Sequence, residues 1–241
     1  MRLLVTRPEP DASREAELLS ARGHQAVLAP LLTIEFARDA PLELAGAQAL
    51  LATSRNALRA LALHPAREDA IKLPLLAVGD ATAGEAQMLG FSDVTIGPGT
   101  GAKFAKLIAS EYEPGRGALV HLSGETIAFD LRSALESQGF IVKRFVLYRA
   151  IPLGALPAEA LRLLTAGELD GVILMSPRTA KTFAELVARH GLVTQANGLV
   201  CYCLSEAVAE AVRPPGCTIR VAARPREEDL LALVDSEAAS S

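Results

Sequence analysis

The chain has 241 residues, half of them hydrophobic, with a formal net charge of −4, which allows one large domain or two small ones around a sizeable core. Aromatic residues make up only 4% and Trp is absent, so there is no stacking platform for nucleic acid. The acidic balance excludes a polyanion held by bulk positive charge, but not an anion held by local amides and a few Arg side chains.

From the N-terminus, "RLLVT" reads as a buried parallel strand, a short continuous apolar run of β-formers. "DASREAELLSARG" follows as a helix that Asp11 or Ser13 can cap and Gly23 closes. "HQAVLAPLLTIEF" is a second strand that runs on as an extended ribbon, and "ARDAPLELAGAQ" is a crossing segment. Strand and helix then alternate: "ALLATS" with "RNALRALALH", "LPLLAVG" with "DATAGEAQMLG", "FSDVTIGP" with "GTGAKFAKLIASEY", and "ALVHLSG" with "ETIAFDLRSALESQGF". "IVKRFVLYRAIP" is a strand with an extended exit that mirrors "VLAPLLTIEF". After "LGALPAEALRLLTAGELD" come "GVILMSP" with "RTAKTFAELVARHG", "LVCYCLS" with "EAVAEAV", and "CTIRVAARP" with "REEDLLALVDSEAAS", whose last residues are expected to fray.

This alternation predicts α/β architecture with parallel sheets. Roughly ten strands are too many for one ordinary sheet and imply two. A weak internal duplication supports that division. "LVTRPEPDASREAELLSARGHQAVLAPLL" parallels "VHLSGETIAFDLRSALESQGFIVKRFVLY", "LLATSRNALRAL" parallels "VILMSPRTAKTF", and "LAVGDATAGEA" parallels "CYCLSEAVAEA". The expected organisation is two flavodoxin-like lobes joined by a two-stranded ribbon. One lobe is discontinuous, residues 1–37 with 149–241; the other is 38–148. A ligand cleft between them is expected, lined by strand C-termini.

A recurring feature is a strand that ends in a small hydroxyl residue or Gly, with a helix following at once. Such a turn aims free backbone N–H groups and a helix N-terminus at an anion. Thr6, Thr53, Ser54, Gly79, Thr82, Ser123, Gly124, Ser176 and Ser205 occupy these turns, and each Ser can equally serve as a helix cap. Arg7 and Arg178 stand at two of them, where a cation helps an anion. Tyr148, at a strand end in the ribbon, is either a packed junction residue or a weak acid in the cleft.

Other chemistries are poorly represented. "GPGTGA" (97–102) fits a dinucleotide fingerprint, but the next strand lacks the acidic residue that would take a ribose hydroxyl. No G-x-S-x-G elbow occurs. His24 and His190 read as helix C-terminal residues and His121 as a packed strand residue. Cys201, Cys203 and Cys217 form no regular framework, which predicts reduced thiols, core packing of the C-x-C pair, no metal and a cytoplasmic protein. No apolar run has the roughly 20 residues of a membrane span, and "MRLLVTRPEP" turns polar too soon for a signal peptide.

The ordered set "VTRPE", "TSRNAL", "LAVGDATA", "HLSGE…L…L…G", "VLYRA", "SPRTAKTF" and "LSEAVAEA" resembles the uroporphyrinogen-III synthase family over nearly the whole chain. The late motif departs from the family's pattern, with Cys203 where Gly is usual and a single hydroxyl, Ser205. The resemblance implies two α/β lobes on a two-stranded ribbon. It implies conversion of hydroxymethylbilane, which carries eight carboxylates, to uroporphyrinogen III. No cofactor, nucleic acid or membrane is implied, and a monomer is expected. It also casts Tyr148 as the acid or donor that assists loss of the hydroxyl, and the turn residues as carboxylate ligands. The alternative function is a non-catalytic two-lobe binding or regulatory module for an anionic small molecule.

Overall fold

A computed structural model describes residues 1–212 and 216–239. In chain order the elements are β1 (Arg2–Val5), α1 (Asp11–Ala21), β2 (Gln25–Leu28), β3 (Leu32–Phe36), β4 (Ala47–Ala52), α2 (Arg55–Ala62), α3 (Arg67–Ala70), β5 (Leu75–Ala77), α4 (Asp80–Leu89), β6 (Val94–Ile96), α5 (Gly101–Glu111), β7 (Ala118–Gly124), α6 (Leu131–Glu136), β8 (Ile141–Pro152), α7 (Ala158–Ala166), β9 (Gly171–Leu174), α8 (Pro177–Arg189), α9 (Val193–Ala196), β10 (Val200–Cys203), α10 (Glu206–Val212), β11 (Thr218–Val221) and α11 (Glu227–Ala238). The expected second strand is two strands, β2 and β3, interrupted around Pro30, which lacks a ladder donor. Of the final residues expected to fray, Ser236 to Ala238 are helical, and 240 and 241 lie outside the described residues.

Two compact units result: Met1–Thr33 with Ile151–Ser241, and Ile34–Ala150. The first contains a five-stranded sheet in the order β11-β10-β9-β1-β2, parallel throughout. Alternate residues of its central strands face opposite sides. Leu4, Val172, Leu174 and Cys201 pack with Leu163 of α7, Phe183 of α8 and Val208 of α10. Leu3, Val5, Ile173 and Tyr202 pack with Leu19 of α1 and Leu230 and Val234 of α11. Helices on both faces explain why these strands read as unbroken apolar runs.

The second unit's sheet has the order β3-β8-β7-β4-β5-β6. The pairs β8–β7, β7–β4, β4–β5 and β5–β6 are parallel. β3 runs opposite to β8, since Ala37 N–H donates to the Leu147 carbonyl and Leu153 N–H to that of Leu31. One face holds Leu50, Ala52, Ala77, Val120 and Leu122 against Leu58 of α2 and Ala86 of α4. The other holds Ala49, Leu51, Leu76 and Leu119 against Phe104 and Ile108 of α5 and Leu135 of α6.

The duplication read from the sequence reappears as sheet order. With β1 and β7 as first strands, the units run β2-β1-β9-β10-β11 and β8-β7-β4-β5-β6. Both are the 2-1-3-4-5 order of flavodoxin-like sheets.

The cysteines depart from expectation. Cys201 and Cys217 form a disulfide, their Cα atoms 6.3 Å apart, so only Cys203 is free. β10 lies beside β11, and the residue leading into β11 reaches the Cys201 side chain; the pairing was not visible in a 16-residue separation. Cys201 and Cys203 do share one core face. Among the described residues no helix is long and apolar enough to cross a membrane.

Candidate functional site

Parallel strands bring all strand-to-helix turns of a unit to the carboxyl edge of its sheet. The turns are of two kinds. After β4, β5, β9 and β10 only two residues precede the helix; after β1, β6, β7 and β11 four to six do. The expected immediate helix start therefore fails at Thr6 and Ser123. After β1, Pro8 and Pro10 delay the helix. Its N-cap position is Pro10, so neither Asp11 nor Ser13 caps it, and the Glu9 carboxylate instead accepts from Ser13 N–H at 3.1 Å. After β7, helix α6 waits for Asp130, which accepts from Ser133 N–H at 3.0 Å. Ser123 and Gly124 therefore stand at a strand end and not at a helix N-terminus.

The two-residue turns differ among themselves. Ser54 and Ser176 are N-caps, accepting from Asn56 N–H at 3.2 Å and Thr179 N–H at 3.1 Å, and Ser176 also bonds the Thr179 hydroxyl at 2.8 Å. Gly79 caps α4 with no side chain, so the N–H groups of Asp80 and Ala81 have no partner among the described residues. Thr82 is buried one turn further along. Ser205 begins α10, with its carbonyl accepting from Val208 and Ala209. Arg178 follows Pro177 in the first turn of α8 and is partly exposed.

"GPGTGA" has a packing explanation. A Cβ on Gly97 would lie 2.7–2.9 Å from Phe104, Ala77 and Val78 atoms, and Gly99, at φ +84°, donates its N–H to the Val78 carbonyl. The glycines let this loop lie against the Gly79 turn.

Thr6 and Arg7 are engaged by the fold. The Thr6 hydroxyl donates to the Ile173 carbonyl at 2.6 Å, tying β1 to β9. The Arg7 guanidinium, only 9% exposed, meets Glu227 at 2.6 Å, Asp11 at 3.5 Å and Glu15 at 3.6 Å. Arg14 reaches Glu227 from outside at 3.3 Å. Burial raises the Glu15 pKa from 4.5 to about 7; Arg7 opposes this, and Glu227 and Asp11 add to it.

At the second unit's edge, Tyr148 is paired with Gly124 across β8 and β7. Its ring lies on that glycine: a Cβ there would be 2.6 Å from Cζ and 2.8 Å from the hydroxyl. The hydroxyl has no hydrogen-bond partner among the described residues. Ser123, fully buried, donates to the Phe145 carbonyl at 3.3 Å and accepts from Arg144 Nε at 2.9 Å. Arg144 Nη2 donates to the carbonyls of Gly124 at 2.7 Å and Glu125 at 2.8 Å. Thr53 Oγ1 lies 3.2 Å from His121 Nε2. Burial, then the Arg144 cation, lowers the His121 pKa to about 4, against a smaller opposing pull from Asp130, so the ring is neutral at pH 7.

Arg144 and Glu15 escaped the sequence reading; His121 is the packed strand residue it was read as, but its pairing with Thr53 was missed. A His inside the apolar run "ALVHL" was the available signal for that pairing. His190 is the C-cap of α8 as read, whereas His24 turns to Asp235, 2.9 Å away. Among the described residues no group of three or more His, Cys, Asp or Glu side chains could hold a metal ion.

The family model described as uroporphyrinogen-III synthase HemD matches residues 13–232. A comparison with curated proteins returns no match. Among solved structures, uroporphyrinogen-III synthetase from Helicobacter pylori 26695 superposes with a TM-score of 0.67 at 18% identity over 98% of each chain. A mutant uroporphyrinogen III synthase from the extremely thermophilic bacterium Thermus thermophilus gives 0.59 at 18% identity, over 99% of this chain and 97% of its own. At these identities the structural likeness speaks for the fold.

Proposed function

The chain belongs to the uroporphyrinogen-III synthase family, and on that premise we infer that it is a cyclising lyase of tetrapyrrole biosynthesis. It closes hydroxymethylbilane to uroporphyrinogen III, inverting the terminal ring and releasing water. The observation that carries the site assignment is the set of two-residue turns at equivalent strands of the two units. An acidic protein can hold a polycarboxylate this way, because helix N-termini and hydroxyls supply donors without bulk positive charge. Asp80 and Ala81 N–H at the Gly79 turn, the Ser205 turn, Thr53 and Arg178 are the proposed carboxylate ligands. Ser54 and Ser176 shape their turns, with Thr82 behind Gly79. Thr6, Arg7 and Ser123 have polar atoms already engaged, which favours a supporting role for them.

The chemistry asks little of side chains. Pyrrole nitrogen lone pairs expel the hydroxyl, and a weak acid assists by protonating the departing oxygen, which leaves as water. Tyr148, with its hydroxyl unpartnered among the described residues and seated over Gly124, suits that step. The resulting cation attacks the substituted carbon of the terminal ring, and the spiro intermediate fragments and recloses. Spontaneous closure gives the non-inverted isomer, so the enzyme's task is to orient the chain.

The test supplies hydroxymethylbilane and separates the porphyrin isomers after oxidation. The inverted isomer is expected. The non-inverted isomer alone, at the spontaneous rate, would refute the activity and leave a binding module. Tyr148→Phe should cut turnover, and an unchanged rate removes Tyr148 from the mechanism. A cytoplasmic monomer acting without nucleic acid belongs to the same proposal; light scattering and thiol titration of protein taken directly from cells check the state and the compartment.

A further inference from the structure

His121 and Thr53 form a part-buried polar pair in the second unit, with Arg144 the cross-strand neighbour of His121. His121 shares a face of β7 with Leu119 and Ser123, and it is 1% exposed. Its Nε2 lies 3.2 Å from Thr53 Oγ1, and its Nδ1 has no hydrogen-bond partner. A Leu here would pack without leaving a ring nitrogen unmatched, so the imidazole is costly to the fold. The charged groups around it are Arg144 from β8 and Asp130 at the N-cap of α6; burial and the Arg144 cation keep the ring neutral.

A neutral imidazole has one N–H and one lone pair. With Nδ1 unmatched, the two tautomers differ in what is orphaned. A bare acceptor is less costly to leave unpaired than an N–H, and a neighbouring cation favours a lone pair over an N–H dipole. The proton therefore belongs on Nε2, donated to Thr53 Oγ1. Thr53, half-buried at the carboxyl edge, then keeps its own proton free to point outward. The other tautomer would draw that proton inward and show oxygen lone pairs to an arriving carboxylate.

We propose that His121 is a positioning residue which, as the Nε2–H tautomer, fixes the Thr53 hydroxyl as an outward donor to a substrate carboxylate. This rests on the carboxylate role given above to the Thr53 turn. The direct readout is the long-range 1H–15N correlation spectrum of the labelled wild-type protein. His121 should appear as the Nε2–H tautomer, unchanged from pH 8 to 6; an Nδ1–H tautomer overturns the proposal.

Kinetics separate this inference from the reading beneath it. Thr53→Val and His121→Leu should each raise KM for hydroxymethylbilane about tenfold, the loss of one hydrogen bond to a charged group, with kcat nearly unchanged. His121→Gln, whose amide N–H reaches the same oxygen, should recover most of that loss. The double variant should be no worse than Thr53→Val alone. A wild-type KM for Thr53→Val would defeat the carboxylate reading of this turn. A raised KM for Thr53→Val beside a wild-type KM for His121→Leu, or no recovery with Gln, would defeat the relay alone. Should His121→Leu fail to fold, the wild-type spectrum still decides.

Discussion

Replacing Glu15 by Gln tests the buried cluster around Arg7 most sharply. Glu15 is 1% exposed, and neither carboxylate oxygen has a hydrogen bond. Burial raises its pKa from 4.5 to about 7, with Arg7 opposing. An acid whose folded pKa lies above its unfolded value favours folding while protonated. Its contribution is complete below pH 4.5 and is lost as pH rises through about 7. That interval corresponds to about 3 kcal/mol at 1.36 kcal/mol per pH unit. Gln cannot ionise and keeps nearly the same volume, while Arg7 retains Glu227 at 2.6 Å and Asp11 at 3.5 Å. Glu15→Gln should therefore match the wild type near pH 4.5 and exceed it by up to about 3 kcal/mol at pH 8.5, a rise of several degrees in Tm. His121 acts in the opposite sense: its folded pKa is lowered to about 4, so its contribution is present above 6.5 and lost as pH falls. Only the difference between variant and wild type isolates Glu15. Calorimetric Tm values from pH 4.5 to 8.5 supply it. A variant curve parallel to the wild type's, or one that falls below it at pH 8.5, would refute the reasoning.

Gly124→Ala puts a methyl group 2.6 Å from Tyr148 Cζ; the half-buried ring must move, and kcat should drop towards that of Tyr148→Phe while the far-UV CD spectrum stays unchanged. Thr6→Val removes the 2.6 Å bond to the Ile173 carbonyl; urea unfolding should show a loss of about 1–2 kcal/mol, with KM for hydroxymethylbilane unaltered, and a raised KM would return Thr6 to the binding site. Ser176→Ala removes the cap of α8 and should cost about 1 kcal/mol, whereas Ser176→Gly should cost only a few tenths.

Strand and helix order, the two-sheet division and the duplication were legible because they depend on apolar period and turn residues, which are local. The two-residue turns at Ser54, Gly79, Ser176 and Ser205 were legible for the same reason. The turn after β7 was misread. Ser123 looks like a cap, but its hydroxyl is taken by Phe145 and Arg144 from the neighbouring strand, and Asp130 caps α6 instead. The partners of Arg7 were not legible either, since they include Glu227, 220 positions away. The Cys201–Cys217 bridge depends on β10 lying beside β11. In each case the deciding neighbour is distant in sequence, where periodicity carries no information.

Turn length follows the face that each helix covers. α8 and α10 leave by two-residue turns and pack on one face of the first sheet, while α1 and α11 leave by longer loops and pack on the other. The second unit repeats this, with α2 and α4 on one face and α5 and α6 on the other. The crevice of such a sheet opens where helices diverge to opposite faces, between its first and third strands. In the first unit that point lies between β1 and β9, and its polar groups are engaged: Thr6 on the Ile173 carbonyl, Arg7 in its carboxylate cluster. In the second it lies between β7 and β4, beside the half-buried Thr53, with Tyr148 held over Gly124. The duplicated halves have thus diverged at their switch points while keeping their two-residue turns alike. The proposed bond-changing step accordingly rests on the switch point that carries Tyr148, in the second unit.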